Sequence, residues 1–201
     1  MKLNELAMDA LTEMFNLGVG QAAHAFSQIA GDSVSLTVPR VLLLSRSEAH
    51  QSMGMGGDRA ISAVRQQYSG AISAEAILMF PVERGLELVR MMVGGDLPLD
   101  QLAEMEQEAL CEVGNILLNS VMASLADAFK IQLDGSLPIV ELSHAGDVLD
   151  LSSGGAEVQV LLIDIQFEVA AREVQGMLAF LLDVPSQDML ERLLTHFLNG
   201  M

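Results

Sequence analysis

Apolar residues recur at helical spacing from Leu3 to Ala30, with Leu3, Ala7, Leu11, Met14, Ala22, Ala25 and Ile29 on one side, and that period predicts a helix. Gly18 and Gly20 weaken it by propensity but leave room for a close neighbour, and Gly31-Asp32 is a natural stop. The run from Val34 to Leu44 is strand-like and contains Pro39. Proline has no N–H to give to a ladder, so this strand is expected at a sheet edge, or to begin near the proline. Ser45 to Asp58, rich in Gly, Ser and Met, is expected as a loop. Two strands follow, Ala60 to Tyr68 and Ala71 to Phe80, parted by Ser69-Gly70. Pro81 then opens a helix over Val82 to Val93, which Gly94-Gly95 ends.

The same order returns in the second half. A helix is expected from about Leu102 to Lys130, then a strand from Leu137 to Leu142 around Pro138, and a polar loop from Ser143 to Gly155. Strands from Ala156 to Glu168 and Gly176 to Leu182 lead to Pro185 and a last helix ending at Asn199. Internal repetition outranks any local assignment. It predicts an α/β (α+β) fold: one domain over 1–201, made of two similar halves, about 1–95 and 101–201, related by a pseudo-twofold axis. The antiparallel strands are expected to share one sheet or pack as two, flanked by two long helices and two shorter ones.

Inside the repeat lies a sparse polar pattern, Glu-x2-Asn-x22-Pro. It occurs as Glu13, Asn16 and Pro39 and again as Glu112, Asn115 and Pro138, each Glu preceded four residues earlier by an acid, Asp9 or Glu108. The chain has 15 Glu, 5 Asn and 5 Pro, so random placement would give about one such match per hundred chains of this composition. At about 100° per residue, Asp9, Glu13 and Asn16 fall on one helical stripe continued by Gly20 and Ala23. Glu108, Glu112, Asn115 and Asn119 fall on another, opposite Leu110, Val113, Leu117 and Val121.

A polar helix face is ordinarily just solvated surface. Here two features argue otherwise. Asn is a modest helix former, so Asn16 and Asn115 in mid-helix are mildly unfavourable choices, and the same choice is made twice at one offset. A carboxylate can pair with a partner's lysine, and an amide oxygen can accept from a water proton. No His stands nearby in sequence, and Cys111 beside Glu112 is a lone thiol, so the residues suit neither a metal site nor a nucleophile paired with a His base. Such a pair is incomplete alone and makes sense when inserted into another protein's site.

Charge narrows the partners. With 10 Lys and Arg against 27 Asp and Glu the formal charge is −17, which repels nucleic acid and anionic membrane surfaces. The hydrophobic fraction is 51%, yet there is no Trp and one Tyr, so no aromatic platform for single strands is present. No stretch approaches 18 uninterrupted apolar residues, so membrane insertion is not expected. Met1 to Glu5 lacks the basic region and apolar run of a secretory signal, and a cytoplasmic location follows as the expectation. Cys111 stands alone and is read as a packed helical thiol. Gly54 to Gly57 lacks the Lys-Ser/Thr ending of a phosphate loop, the four His are scattered, and the Met residues suit core filling.

Asp9-Ala-Leu-Thr-Glu13-Met-Phe-Asn16 with Pro39, and Glu108-Ala-Leu-Cys-Glu112-Val-Gly-Asn115 with Pro138, together resemble the motif of the CheC/CheX/FliY phosphatases of bacterial chemotaxis. Glu108 departs from the usual Asp or Ser. Two motifs in one chain look most like the CheC branch. The resemblance implies hydrolysis of the aspartyl phosphate of a CheY-like receiver. Glu13 or Glu112 would pair with the receiver's lysine and Asn16 or Asn115 would orient the attacking water. It implies no cofactor bound by this chain, with Mg2+ supplied by the receiver, and CheD as a second partner. The rival expectation is an adaptor that binds a receiver or CheD, or a flagellar switch component, without catalysis.

Overall fold

A computed structural model describes residues 3–31, 33–54, 57–93, 99–149, 158–169 and 172–200. The first helix, α1, spans Glu5–Ala30. The Asn4 side chain caps it by accepting from the Ala7 N–H at 2.9 Å, one of the donors a helix start leaves unpaired. Gly31 ends it at φ 67, a left-handed conformation that glycine adopts without strain. Strand β1 (Val34–Ser45) follows and then a helix, α2 (Arg46–Ser52), where a loop was expected. Ser45 and Glu48 explain it. The Ser45 hydroxyl accepts from the Glu48 N–H while the Glu48 carboxylate accepts from the Ser45 N–H at 2.9 Å, a reciprocal capping box.

The hairpin β2 (Ala60–Gly70) and β3 (Ala74–Pro81) leads into α3 (Val82–Val93). The second long helix, α4, spans Leu99–Phe129. A short strand, β4 (Leu133–Gly135), precedes β5 (Ile139–His144), so Pro138 stands before its strand rather than within it. The hairpin β6 (Gln159–Val169) and β7 (Arg172–Leu182) and the helix α5 (Val184–Asn199) complete the chain. The expected polar loop is described only as far as residue 149; 150–157 lie outside the described residues.

All seven strands form one antiparallel sheet in the order β1-β6-β7-β3-β2, with β4 and β5 both laid along β2. The order β1-β6-β7-β3-β2-β5 reads the same backwards when each strand is replaced by its counterpart in the other half. Register obeys the same relation. Ser45 faces Gln159 and Arg40 faces Asp164, while 99 positions away His144 faces Ala60 and Ile139 faces Arg65. The proline-bearing strand of each half is therefore paired to the hairpin of the other. β1 is an edge strand, as Pro39 requires, and the ladder shifts register between Thr37 and Arg40, where the missing N–H falls.

Helices α1, α3, α4 and α5 cover one face, over a core that includes Leu11, Phe15, Phe26, Leu78, Phe80 and Phe167. Phe15 stacks on Phe180 with ring centroids 5.7 Å apart. The opposite face carries a second core around Ile61, Ile77, Met79 and Leu162, closed by Ala49 and Met53 of the α2 region and by Ala145, Val148 and Leu149. Because both faces are covered, β3 is buried at every position, a continuous apolar run rather than an alternating one. Met105–Phe129 in α4 is long and apolar enough to cross a membrane by length and composition, which the count of uninterrupted apolar residues did not foresee; half of it is buried in this core.

α1 and α4 cross where Gly18 has no side chain. A Cβ there would lie 2.6 Å from the Val121 Cα. Beside it the buried Ser124 hydroxyl donates to the Met14 carbonyl at 2.8 Å. Met14 opposite Ser124 and Gly18 opposite Val121 make the two motif helices antiparallel.

Candidate functional site

On α1, burial of Leu11, Met14, Phe15, Gly18, Val19, Ala22 and Phe26 leaves the polar stripe outward. Asp9, Glu13 and Gly20 are exposed and Asn16 is half-buried. Ile29, expected on the core side, is 53% exposed, because the contact stripe runs through Phe15, Val19 and Phe26 instead. Pro39 is exposed at the β1 irregularity, and α1 packs along β1. On α4, Leu110, Val113, Leu117 and Val121 are buried, while Glu108, Glu112 and Asn119 are exposed and Asn115 is half-buried.

The second motif lines a defined groove. Glu108, Glu112, Cys111, Pro138 and Ile139 share an open depression of about 920 Å³ between α4 and β5. The Cys111 thiol donates to the Pro138 carbonyl across 3.7 Å, tying the proline to the motif helix. This is the packed role expected of that cysteine. Ile139 on the groove's rim is 66% exposed, and nearby in the chain Leu137 and Leu142 are 86% and 77% exposed. In an adjoining depression the Ser62 hydroxyl donates weakly to Glu106 at 3.4 Å. Partial burial there raises the Glu106 carboxyl above its ordinary range, and the Ser62 bond offsets this in part.

Asn115 is not isolated. Its Oδ1 accepts from Asn119 Nδ2 at 2.8 Å. Asn119 Oδ1 in turn accepts from the Tyr68 hydroxyl at 2.8 Å and from Gln66 Nε2 at 3.1 Å. Gln66 also donates to the Ser136 carbonyl at 2.7 Å. Burial pushes the Tyr68 phenol well up, so it stays a donor at any working pH. The helical stripe pointed to Asn119, but Gln66 and Tyr68 lie on β2, more than fifty positions away, and carry no local signal. Among the described residues no three His, Cys, Asp or Glu are grouped to hold a metal ion. The exposed carboxylates and half-buried amides can pair with a cation and hold a water, but they have no reacting group of their own.

A single two-faced sheet thus carries two Glu-x2-Asn helices in antiparallel contact. No family model matches the chain. It is 30% identical over 199 residues to the CheY-P phosphatase CheC of Bacillus subtilis, covering 95% of this chain and 93% of that one. It is 28% identical over 142 residues to the flagellar motor switch phosphatase FliY of the same organism, covering 70% of this chain and 36% of that protein. Among solved structures, Thermotoga maritima FliY superposes with a TM-score of 0.77 at 19% identity, covering 100% of both chains. The FliM middle domain of H. pylori gives 0.61 at 11% identity, covering 94% of this chain and 99% of that one. The chain belongs to the CheC family of chemotaxis proteins.

Proposed function

We propose that the chain is a phosphatase acting on the aspartyl phosphate of a CheY-like response regulator. The observation that carries this is the twice-built stripe of exposed Glu and half-buried Asn on rigid, core-anchored helices, in a chain similar to a CheY-P phosphatase over nearly its whole length. Glu13 and Glu112 anchor docking by pairing with a receiver lysine. Asn16 and Asn115 accept from a water proton and hold that water in line with phosphorus. The water oxygen bonds to phosphorus as the bond to the aspartyl oxygen breaks, leaving a free carboxylate and inorganic phosphate. Asp9, Glu108, Pro39 and Pro138 support this geometry, Pro138 through the groove it shares with Glu112. Mg2+ travels with the receiver, where it neutralises phosphoryl charge. The unit is one domain of two similar halves, about 1–95 and 101–201, working in the cytoplasm where receivers are found.

With a chain of −17, long-range steering of an acidic receiver is weak, so contact along the apolar rim supplies much of the binding. Substituting Asn16→Ala and Asn115→Ala together is expected to return decay of the phosphorylated receiver to its own rate, with thermal unfolding unchanged. Acceleration that persists in the double variant would defeat this reading. A second reading, a switch or adaptor component, draws on the FliY relative, named for the flagellar motor switch. It predicts receiver binding with no faster phosphate release. CheD is a further partner on the family reading, tested by co-purification with the intact chain.

A further inference from the structure

The two candidate sites differ behind their asparagines. The 99-position correspondence of the ladders puts Gly20 where Asn119 stands, Ile165 for Gln66, Phe167 for Tyr68 and Leu36 for Gly135. Gly135 belongs with the others because a Cβ there would lie 2.9 Å from the Tyr68 ring, 3.0 Å from Gln66 Nε2 and 3.3 Å from Asn119 Oδ1. Its counterpart Leu36 is buried, as are Ile165 and Phe167. Four positions on two strands and a helix of each site thus change together. One half has hydrogen-bonding groups and the space to hold them; the other is filled with hydrocarbon. Among the described residues no side-chain hydrogen bond restrains the Asn16 amide.

We infer that Asn119 is a positioning residue for the second site: backed by Tyr68 and Gln66, it fixes the Asn115 carboxamide in one orientation before a receiver docks, a device the first site lacks. The inference rests on the reading of Asn115 as the group that orients water. The Ser136 carbonyl can only accept, so Gln66 must turn its amide nitrogen toward it; the same nitrogen then donates to Asn119 Oδ1, which also accepts from the Tyr68 hydroxyl. Asn119 is left no choice of face, so its nitrogen points at Asn115. Asn115 Oδ1 then keeps one lone pair for water, and the linked amides polarise one another. A side chain ordered in advance does not have to be ordered at the moment of docking.

Asn119→Asp tests this in an Asn16→Ala background, where only the second site remains. Asp keeps the shape and the oxygen facing Tyr68 and Gln66 but has no N–H for Asn115. Asn119 is exposed, so the fold is retained. Expected are a kcat lower by about three- to tenfold, the size of one neutral hydrogen bond, and a KM within about twofold. The 15N order parameter of the Asn115 side-chain amide should exceed that of Asn16 in the unsubstituted protein and fall to the Asn16 level in Asn119→Ala, which removes the partner. In Asn119→Asp the carboxylate can accept from a turned Asn115 amide, so that variant is read in kcat. Equal order of Asn16 and Asn115 in the unsubstituted protein would overturn the inference, as would a kcat untouched by Asn119→Asp or a change confined to KM. If Asn115→Ala itself leaves decay unaltered, the water-orienting role fails, and the amide order still reports separately on whether Asn119 restrains Asn115.

Discussion

Gly18 and Gly20 sit two residues apart on α1, and alanine at each should move stability in opposite directions. A Cβ on Gly18 would stand 2.6 Å from the Val121 Cα, 3.1 Å from the Ser120 carbonyl oxygen and 3.2 Å from the Val121 nitrogen. All three atoms are backbone, so no side chain can turn aside. To restore ordinary contact the helices must part by about 1 Å, losing dispersion along their crossing. Overpacking costs about 1–3 kcal/mol, and against backbone that cannot turn aside the upper part of that range applies, about 2–3 kcal/mol. Alanine returns about 1 kcal/mol through helix propensity, leaving a net loss of about 1–2 kcal/mol. A Cβ on Gly20 meets nothing within 4 Å, so only the propensity gain remains, about 0.5–1 kcal/mol. For a chain of this length, 1 kcal/mol is about 2–4 °C in Tm. Gly18→Ala should therefore melt about 2–8 °C lower and Gly20→Ala about 1–4 °C higher, with unchanged urea m-values. If both variants were stabilised alike, the close backbone crossing of the two motif helices would be wrong.

Two further outcomes follow from the groove and the depression adjoining it. Ile139→Ser removes an exposed apolar rim residue, so stability should stay within about 0.5 kcal/mol. KM for the phosphorylated receiver should rise several-fold at constant kcat, measured by steady-state phosphate release. Glu106 is held above its ordinary 4.5 by partial burial. The fold thus favours its protonated form, and that contribution is present below the ordinary value and lost as pH rises through the raised one. Glu106→Gln should gain stability relative to the unsubstituted protein between about pH 4 and about pH 7, read from urea midpoints at both. A constant difference across that range would contradict the burial of this carboxyl.

The helices were legible because their periodicity is long, and the motif because it recurs at fixed spacing. Pro39 announced its edge position correctly, since the missing N–H admits few alternatives. The helix α2 was missed although Ser45-Arg-Ser-Glu48 spells a capping box; the Gly, Ser and Met around it outweighed the signal. Pro138 was read inside its strand because one proline in an apolar run does not say on which side the ladder begins. The pairing of β1 with β6 and β5 with β2 was not legible, because a repeat fixes which strands are alike but not which become neighbours. Asn119 was visible on the stripe, but its restraint by Tyr68 and Gln66 depends on that unforeseen placement of β2 under α4.

The exchange of proline-bearing strands also sets the order in which the molecule matures during synthesis. Among the described residues β1 has one ladder, to β6, which runs from Val34 opposite Val169 to Ser45 opposite Gln159. Until β6 has left the ribosome, β1 has no mate, and Pro39 is not yet held beside α1. The other proline strand, β5, pairs with a β2 made long before it. The first motif encoded thus waits for a strand made long after it, whereas the second meets a strand already made. Contacts of such long sequence separation form slowly, so the ladder that holds Pro39 beside α1 closes late.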